Sequence, residues 1–442
     1  MKLQPQGWTT ARLAELVEIL DARRVPVNAD ERAARVAGKS ADELIPYYGA
    51  TGQVGWIDQP LFDEELLLLG EDGVPFHDLF KRKAYRVTGK SWVNNHAHVL
   101  RAIRDRVDCR YLEHFLNRFD YVGAVTGSTR LKLTQAAMAQ IPVAVAPRAE
   151  QHRIADKLDS VLAQVDACRA RLARVAPLLK RFRQSVLAAA TSGRLTEDWR
   201  QGGEYQTTRE RFSDVVSESL VGLVRSSSEQ SDLAPGLVPY LKMNSIAEDW
   251  GYKLDGLVGV RCTPEEVARY SLQPGDWLFN TRNSIELVGK SCVWRTGPVV
   301  FNNNILRVRF QPRALPDFVE VWFRSPAGRA ALASIKSATT SVAAVYQKSL
   351  FAVQLELPAV DEQAQIVRRV ETLFAFADRL EFRLTQAQTA VDRLTPSLLA
   401  KAFRGELVPQ DPADEPAAEL LRRLAAERNA TPARPRRERT TA

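Results

Sequence analysis

The sequence offers little that would hold a disulfide, a metal or a membrane. Its cysteines, Cys109, Cys168, Cys262 and Cys292, are scattered with no paired spacing. That excludes a zinc-ribbon cluster and a disulfide framework, and it fits a reducing compartment. No apolar run reaches the length needed to span a bilayer. The opening MKLQPQGWTT lacks the apolar stretch of a secretory signal, so a cytoplasmic protein with no membrane partner is expected. Catalytic signatures are missing too. Gly89-Lys90-Ser91 and Gly289-Lys290-Ser291 resemble the end of a nucleotide-binding loop, but Ala84 and Ser284 stand where that motif needs its first glycine. There is no glycine-rich loop after a strand, no Asn-Pro-Pro-aromatic motif of an amino-methyltransferase, and no carboxylate cluster at metal-ligand spacing. His96 and His98 would share a strand face, but no Cys or carboxylate partner stands nearby to make a metal site.

What is present is an ordinary globular composition, 45% hydrophobic and 26% charged, in a chain long enough for two or three domains. The formal charge of +8 and a pI of about 9.3 favour an acidic partner, of which nucleic acid is the commonest.

One stretch occurs twice. Residues 150–195 recur as residues 362–407 at an ungapped offset of 212, with identities such as Glu150/Glu362, Gln151/Gln363, Leu187/Leu399 and Gly193/Gly405. The apolar pattern repeats more faithfully. Ile154, Leu158, Val161, Val165, Cys168, Leu172, Val175, Leu179, Phe182 and Val186 alternate steps of four and three. Ile366, Val370, Leu373, Ala377, Leu380, Leu384, Ala387, Val391, Leu394 and Leu398 do the same. An a/d seam of this length predicts two long helices, and two matched seams are most simply buried against each other as an antiparallel coiled coil. Each copy ends in Gly, a helix stop. Pro177 and Pro396 fall inside the helices and predict a kink or break at each.

The rest reads as two α+β globules. In the first, β-like runs Ile45–Tyr48, Leu66–Leu69, Tyr85–Val87, Val99–Ile103 and Ile141–Val145 sit between glycine turns. A short amphipathic helix is expected around Leu13–Val17, a loop over Arg23–Lys39 and a helix over Tyr111–Phe119. In the second, strands are expected at Val238–Leu241, Val258–Val260, Trp277–Phe279, Val299–Phe301, Ile305–Phe310 and Val353–Leu357, and a helix at Phe318–Ala333 interrupted near Pro326. Thr208–Val216 echoes Thr9–Val17, and the polar loop Ser337–Ser341 takes the place of Thr126–Thr129. The resulting division is 1–147, a globule; 148–195, a long helix; 196–206, a connector; 207–358, a globule; 359–408, a long helix; and 409–442, a basic tail with a short helical piece at Ala417–Arg428, ending in Arg434, Arg436, Arg437 and Arg439 and expected to be partly disordered. The fold is thus a pseudo-two-fold internal repeat.

Two matching stretches are rich in amides and cations. They are Lys90, Ser91, Asn94, Asn95, His96, His98 and Arg101, and then Asn280, Thr281, Arg282, Asn283, Ser284, Lys290, Asn302, Asn303, Asn304 and Arg307. Asn pairs with the adenine edge and Arg with guanine, while Lys and Ser suit phosphates. Taken singly, these residues are equally the stuff of Asx turns and solvated loops. Placed twice on a basic chain, the set points to nucleic acid.

These residues resemble a known family, the specificity subunit of type I restriction–modification systems. The resemblance runs to about residue 410. It is carried by Tyr47–Gly52, Gly70-Glu71-Asp72-Gly73 and Gly89–His96, by Pro274–Ser284 and Val288-Gly289-Lys290, and by the Glu-Gln…Ile openings and Leu187–Thr196 close of the long helices. It implies that each globule is a target recognition domain reading one half of a split, asymmetric DNA site. It adds Tyr47, Thr51, Ser128, Thr129, Arg130, Thr339 and Thr340 to the DNA-facing set. It implies that the paired helices fix the unread gap, through Ile154, Leu158, Val161, Val165, Leu172, Leu179, Ile366, Val370, Leu373, Leu380, Leu384 and Val391, and dock two methylation subunits. Restriction subunits would join these. The chain itself would be non-catalytic and cofactor-free, with S-adenosylmethionine, ATP and Mg on its partners. Two other readings stand beside this one: a coiled-coil scaffold joining protein partners without DNA, and a standalone nuclease or methyltransferase, which the missing motifs disfavour.

Overall fold

The computed structural model describes residues 5–248, 250–338 and 342–430. It divides into two compact units. One comprises Met1–Ala173 with Thr385–Ala442, and the other Arg174–Leu384. Each therefore contains one α+β globule and one antiparallel pair of long-helix segments.

In the first unit, strand Thr9–Arg12 pairs antiparallel with Pro142–Val145 and closes the globule. A sheet follows in the order Val17–Ile19, Ala97–Ala102, Leu66–Gly70, Ala84–Val87, all antiparallel. Leu66 to Leu69 are all fully buried, which is why this strand reads as an unbroken apolar run rather than an alternation. A second sheet joins Gly52–Ile57, Ile45–Gly49, Lys90–Val93 and Phe62–Asp63, with the middle pair parallel. Helix Cys109–Arg118 is capped by Asp108, whose carboxylate accepts from the amides of Arg110 and Tyr111. Its Tyr111, Leu112 and Leu116 sink into the main core.

The second unit repeats the plan. Thr208–Arg211 pairs with Gln354–Leu357. The main sheet runs Val216–Val221, Ile305–Phe310, Trp277–Asn280, Ser291–Val293. Helices Pro316–Arg324 and Pro326–Ile335 flank it, the break set by Pro326 and a Ser325 cap. Trp277 is fully buried against Phe212, Phe279, Phe310 and Phe323, and its indole N–H donates to Glu320 at 2.7 Å.

The helix pairs complete both cores. In the first unit, Ile154 and Leu158 of helix Arg148–Ala173 share a cluster with Leu399 and Ala402, near the end of helix Val360–Ala402. Arg169 reaches Asp392 at 3.1 Å and Thr395 at 3.3 Å, so numbering rises on one helix as it falls on the other. In the second unit, Val186, Leu187 and Ala190 pack with Ile366, Val370 and Phe374, and Arg183 binds Asp378 and Glu381. Each seam residue named for the helix interface is buried or partly buried, whereas Cys168 and Leu394, on the same periodicity, are exposed.

The repeated Glu-Gln pair has a structural reason. Gln151 accepts from the Asp108 amide at 2.8 Å and donates to the carbonyls of Arg106 and Ala146. Gln363 accepts from the Leu315 amide at 2.9 Å and donates to Arg313 and Pro358. Each glutamine ties its long helix to its own globule through three backbone groups that burial would otherwise leave unpaired. The repeated glycine also has a reason. Gly193 and Gly405 both stop their helices at positive φ, 75° and 70°, and a Cβ at Gly193 would lie 2.3 Å from the Tyr205 ring.

Several expectations need correction. Arg23–Lys39 is not all loop: Ala29–Val36 is a helix, capped by the Asn28 side chain accepting from the Glu31 amide. The opening helix is only Leu13–Leu16, held between two strands. The two prolines differ. The first long helix breaks at Arg174, one turn before Pro177, which has no N–H to give to the carbonyl four residues back, but Val360–Ala402 runs through Pro396 as one helix. The packing of Leu399 and Ala402 holds the turn beyond Pro396 in place. The start of the tail is part of the fold. The Ala417 amide donates to the Gly7 carbonyl at 2.8 Å, Arg153 binds Asp414 at 2.6 Å, and Ala417 and Leu420 are buried. A helix spans Ala417–Ala430, and Arg434, Arg436, Arg437 and Arg439 lie outside the described residues. No helix among the described residues is long and apolar enough to cross a membrane.

Candidate nucleic-acid interface

The glycine-flanked turns of each globule gather at one end of its sheets. In the first unit three backbone bonds link them: the Asn94 amide to the Tyr48 carbonyl at 3.0 Å, Glu71 to His96 at 2.8 Å, and Leu133 to Glu71 at 2.8 Å. In the second unit the same ladder recurs as Asn302 to Leu241 at 2.9 Å, Thr281 to Asn304 at 2.8 Å, and Val345 to Thr281 at 2.9 Å. The correspondence is position by position: Asn94 with Asn302, His96 with Asn304, Glu71 with Thr281, Leu133 with Val345. Asp72 then corresponds to Arg282.

Within this frame the amides divide into two kinds. Asn94 Oδ1 accepts from the His96 amide at 2.9 Å, and Asn302 Oδ1 accepts from the Asn304 amide at 2.8 Å. Both are Asx turns, so these two asparagines shape the turn and the next two residues are the ones it presents. Asn95 is exposed and His96 partly so; Asn303 and Asn304 are partly exposed. Gly49 fits the same frame, since Asn94 Nδ2 and Val54 would both lie 3.2 Å from a Cβ there, and the Tyr85 hydroxyl donates to its carbonyl.

The charged groups differ between the units. In the first, Asp72 Oδ1 takes both His96 Nδ1 at 3.0 Å and Arg130 Nη2 at 2.7 Å, while the Arg130 side chain stays 63% exposed. Ser128, Thr129 and Thr51 are exposed on the same loop cluster. In the second, Arg282 is exposed and Thr281, Asn283, Ser284 and Lys290 are partly so. Asn280, fully buried, holds this loop by donating to the carbonyls of Arg282 and Asn304 and accepting from Asn283. Thr339 and Thr340 lie outside the described residues.

Several assigned residues face elsewhere. Lys90 begins the strand that Asn94 follows, roughly 13 Å away along an extended chain. Ser91 and Tyr47 are buried, the latter under the Arg32 guanidinium. Arg101 is bound to Glu64 and Glu18, and the buried Arg307 to Glu218. His98 is buried between Asp21 at 2.6 Å and the Leu133 carbonyl at 2.9 Å. Tyr47, Ser91, His98 and Arg307 are withdrawn into the globules and the partly exposed Arg101 is held by its ion pairs, while Lys90 stays exposed away from the turn. Period-two logic gave their faces, but which end of a strand carries the site is a tertiary fact.

Asp21, Glu71 and His98 come close enough to resemble a metal triad. They are already neutralised: Arg24 binds Glu71 at 2.8 Å and Asp21 at 3.5 Å, and Lys132 binds Glu71 at 3.2 Å. Burial pushes the Asp21 carboxyl up, but the His98 hydrogen bond, the Val99 amide and the nearby charges outweigh it and hold it below its usual value. The cluster pins loop 126–133 to the sheet. Asp72, Glu71, Arg24 and Lys132 were not assigned to the site from the sequence, although Glu71 and Asp72 stand inside the Gly70–Gly73 motif.

The pattern of a type I restriction modification DNA specificity domain matches residues 5–176. The chain is 35% identical over 339 residues to the type I restriction enzyme EcoKI specificity subunit of Escherichia coli K12, covering 73% of this chain and 72% of that protein. It is 28% identical over 461 residues to the EcoDI specificity subunit of Escherichia coli, covering 97% and 96%. Among solved structures, a chain from a study of complex assembly in a type I R-M system superposes with a TM-score of 0.67 at 16% identity, over 92% of this chain and all of that one. The HsdS subunit of Thermoanaerobacter tengcongensis gives 0.54 at 16% identity, over 91% and 98%.

Proposed function

Because the chain belongs to the family of type I restriction enzyme specificity subunits, its work is DNA sequence recognition, and we propose how that work is divided. Each globule reads one half of a bipartite, asymmetric site. The first reads with Asn95, His96, Arg130 and the exposed Thr51, Ser128 and Thr129. The second reads with Arg282, Asn303 and Asn304, supported by Thr281, Asn283, Ser284 and Lys290. The carrying observation is the repeated hydrogen-bond ladder with different side chains mounted on it: one frame, two chemistries, two different half-sites. Asn and Arg on such turns can make the two-bond contacts that distinguish adenine and guanine.

The chain catalyses nothing in this reading. The long helices set the unread gap and dock two methylation subunits, which carry S-adenosylmethionine and methylate adenine; restriction subunits bring ATP- and Mg-dependent cleavage. Large apolar side chains left exposed on the helices, Leu178, Phe376 and Phe382, suit such docking. Half-sites about one turn apart, roughly 34 Å, or a multiple, fit two readers on one duplex face.

The test is a methylome of cells expressing this chain with its methylation partner. Replacing residues 1–147 by those of a relative should change one half of the methylated motif and leave the other alone. A motif that is not split, or that ignores the exchange, would refute the division. Inserting residues at Ala188–Ala190 should lengthen the gap and preserve both halves.

A further inference from the structure

In the second unit, the corner between the recognition globule and its own helix pair collects more cations than carboxylates. Lys180 of helix Val175–Thr191, Lys290, Arg329 and Lys336 line a cavity of about 250 Å³. Glu248 and Glu286 also face it. Among the described residues, neither comes within ion-pair distance of these four cations, and Arg324, which also lines the cavity, is paired with Glu320. The lysines are held through carbonyls: Lys290 Nζ donates to Ile246 at 2.7 Å and Lys336 Nζ to Ile285 at 2.9 Å. An ammonium has three donors, so each keeps capacity for another acceptor. Burial draws the Lys290 ammonium below its usual value, opposed by Glu248 and helped by Arg324. Burial does the same at Lys336, helped by Arg329 and opposed by Glu286. The corner disfavours its own charge, and an anion would relieve it.

The first unit supplies an internal control. The amides of Asp108 and Leu315 donate the same bond to a glutamine, and Asn117 and Arg324 each stand nine residues further on, so the two corners correspond. The first corner, a cavity of about 530 Å³, pairs most of its cations, with Lys81 the exception among the described residues. Arg82 and Arg86 bind Glu113 at 2.5 and 2.6 Å, His114 binds Asp159 at 2.8 Å, and Arg169 binds Asp392 at 3.1 Å. Clustered cations are therefore no requirement of the fold at this place.

We propose that the second corner is a seat for a phosphodiester of the DNA backbone beside the second half-site, held by Lys290, Arg329 and Lys336 with Lys180 added from the long helix. The inference rests on the DNA-reading function above and extends it. A DNA phosphate is favoured over a free anion because the seat is built onto the reading loop. The Asn280 amide donates to the Lys290 carbonyl at 2.8 Å, and the Gly289 amide donates to the Asn280 carbonyl at 2.9 Å. Lysines act on phosphate as point charges that fix position rather than sequence. With Lys180 on the helix, one contact would lock the DNA register to the element that sets the gap.

The experiment measures duplex affinity against salt for the full chain bound to its methylation partner, using a linear duplex bearing the methylated site. Lys336→Gln with Arg329→Gln should lower the slope of log K against log salt by about 0.9, the value of one phosphate, with the methylated sequence unchanged. Lys180→Gln, at an exposed helix position, should lower it in the same direction and stands in if the double variant misfolds. Wild-type slopes in both variants would overturn the seat. So would a wild-type melting temperature raised by inorganic phosphate, lost in the variants, with their DNA slope intact: the seat would then serve a free anion. If the wild-type complex itself shows no salt-dependent duplex binding, the DNA-reading function fails first.

Discussion

The two units share a backbone plan and differ in how they distribute charge. At the recognition turns, the first unit holds a surface arginine and a histidine on one carboxylate, Asp72, and the second puts Arg282 at the same position among amides. At the corner beside the long helices, the first unit pairs most of its cations and the second leaves four without an ion pair among the described residues. A repeat that preserves hydrogen bonds of the main chain leaves side-chain charge free to vary. That is how one scaffold can carry two specificities.

The comparison can be broken most forcefully in the cores. Trp277 and Leu67 occupy matching strand positions, paired with Val308 and Leu100. Trp277→Ala should cost about 3–5 kcal/mol, more than Leu67→Ala, because it also leaves Glu320 without its indole donor. Denaturant unfolding measures both, and a larger loss at Leu67 would contradict the view that the aromatic cluster anchors the second unit.

At the surface, Arg282→Ala should weaken binding by about 1–3 kcal/mol and relax only the second half-site, read as methylation of degenerate motifs. Asp72→Asn should loosen the first half-site alone, since Arg130 and His96 lose their common anchor. If either change spread to the other half, the units would not read independently.

Gln151→Ala and Gln363→Ala test the shared plan. Each strands three backbone groups, and the two should lower stability by similar amounts, about 1–3 kcal/mol with water entering the gap. Unequal losses in urea titrations would mean that the long helices are seated differently.

The smallest effect concerns pH. The Asp21 carboxyl is held below its usual value in the fold, so its contribution is present above about pH 4 and is lost as pH falls through the folded value. Asp21→Asn should therefore flatten the acid side of the stability profile of the first unit. An unchanged profile would remove the His98–Asp21 contact from the account.

Much of this was legible beforehand because it is periodic or repeated. The offset of 212 located Gln151 and Gln363, and the seam gave Ile154, Leu158, Ile366 and Val370, all buried. What failed had local competitors. The Asn28–Glu31 cap lies within a polar run whose composition reads as loop. Pro177 and Pro396 obey the same backbone rule, yet only one interrupts its helix. Of the amides and cations singled out, Asn95, His96, Arg282, Asn303 and Asn304 reach the turns, while Ser91, His98, Asn280 and Arg307 are buried supports.

The sequence by itself determined the repeat, the two long helices, the α+β character of each globule and the family, because these rest on spacing and on patterns that burial imposes along the chain. Only the tertiary structure decided which polar residues face outward, that Asp72 gathers Arg130 and His96, and that Lys180, Lys290, Arg329 and Lys336 meet around one cavity and outnumber its carboxylates, Glu248 and Glu286. Those facts depend on which strand ends and helix faces are brought together from distant positions. No local pattern encodes that, because an exposed lysine and a cavity-lining one look the same until the chain has closed around them.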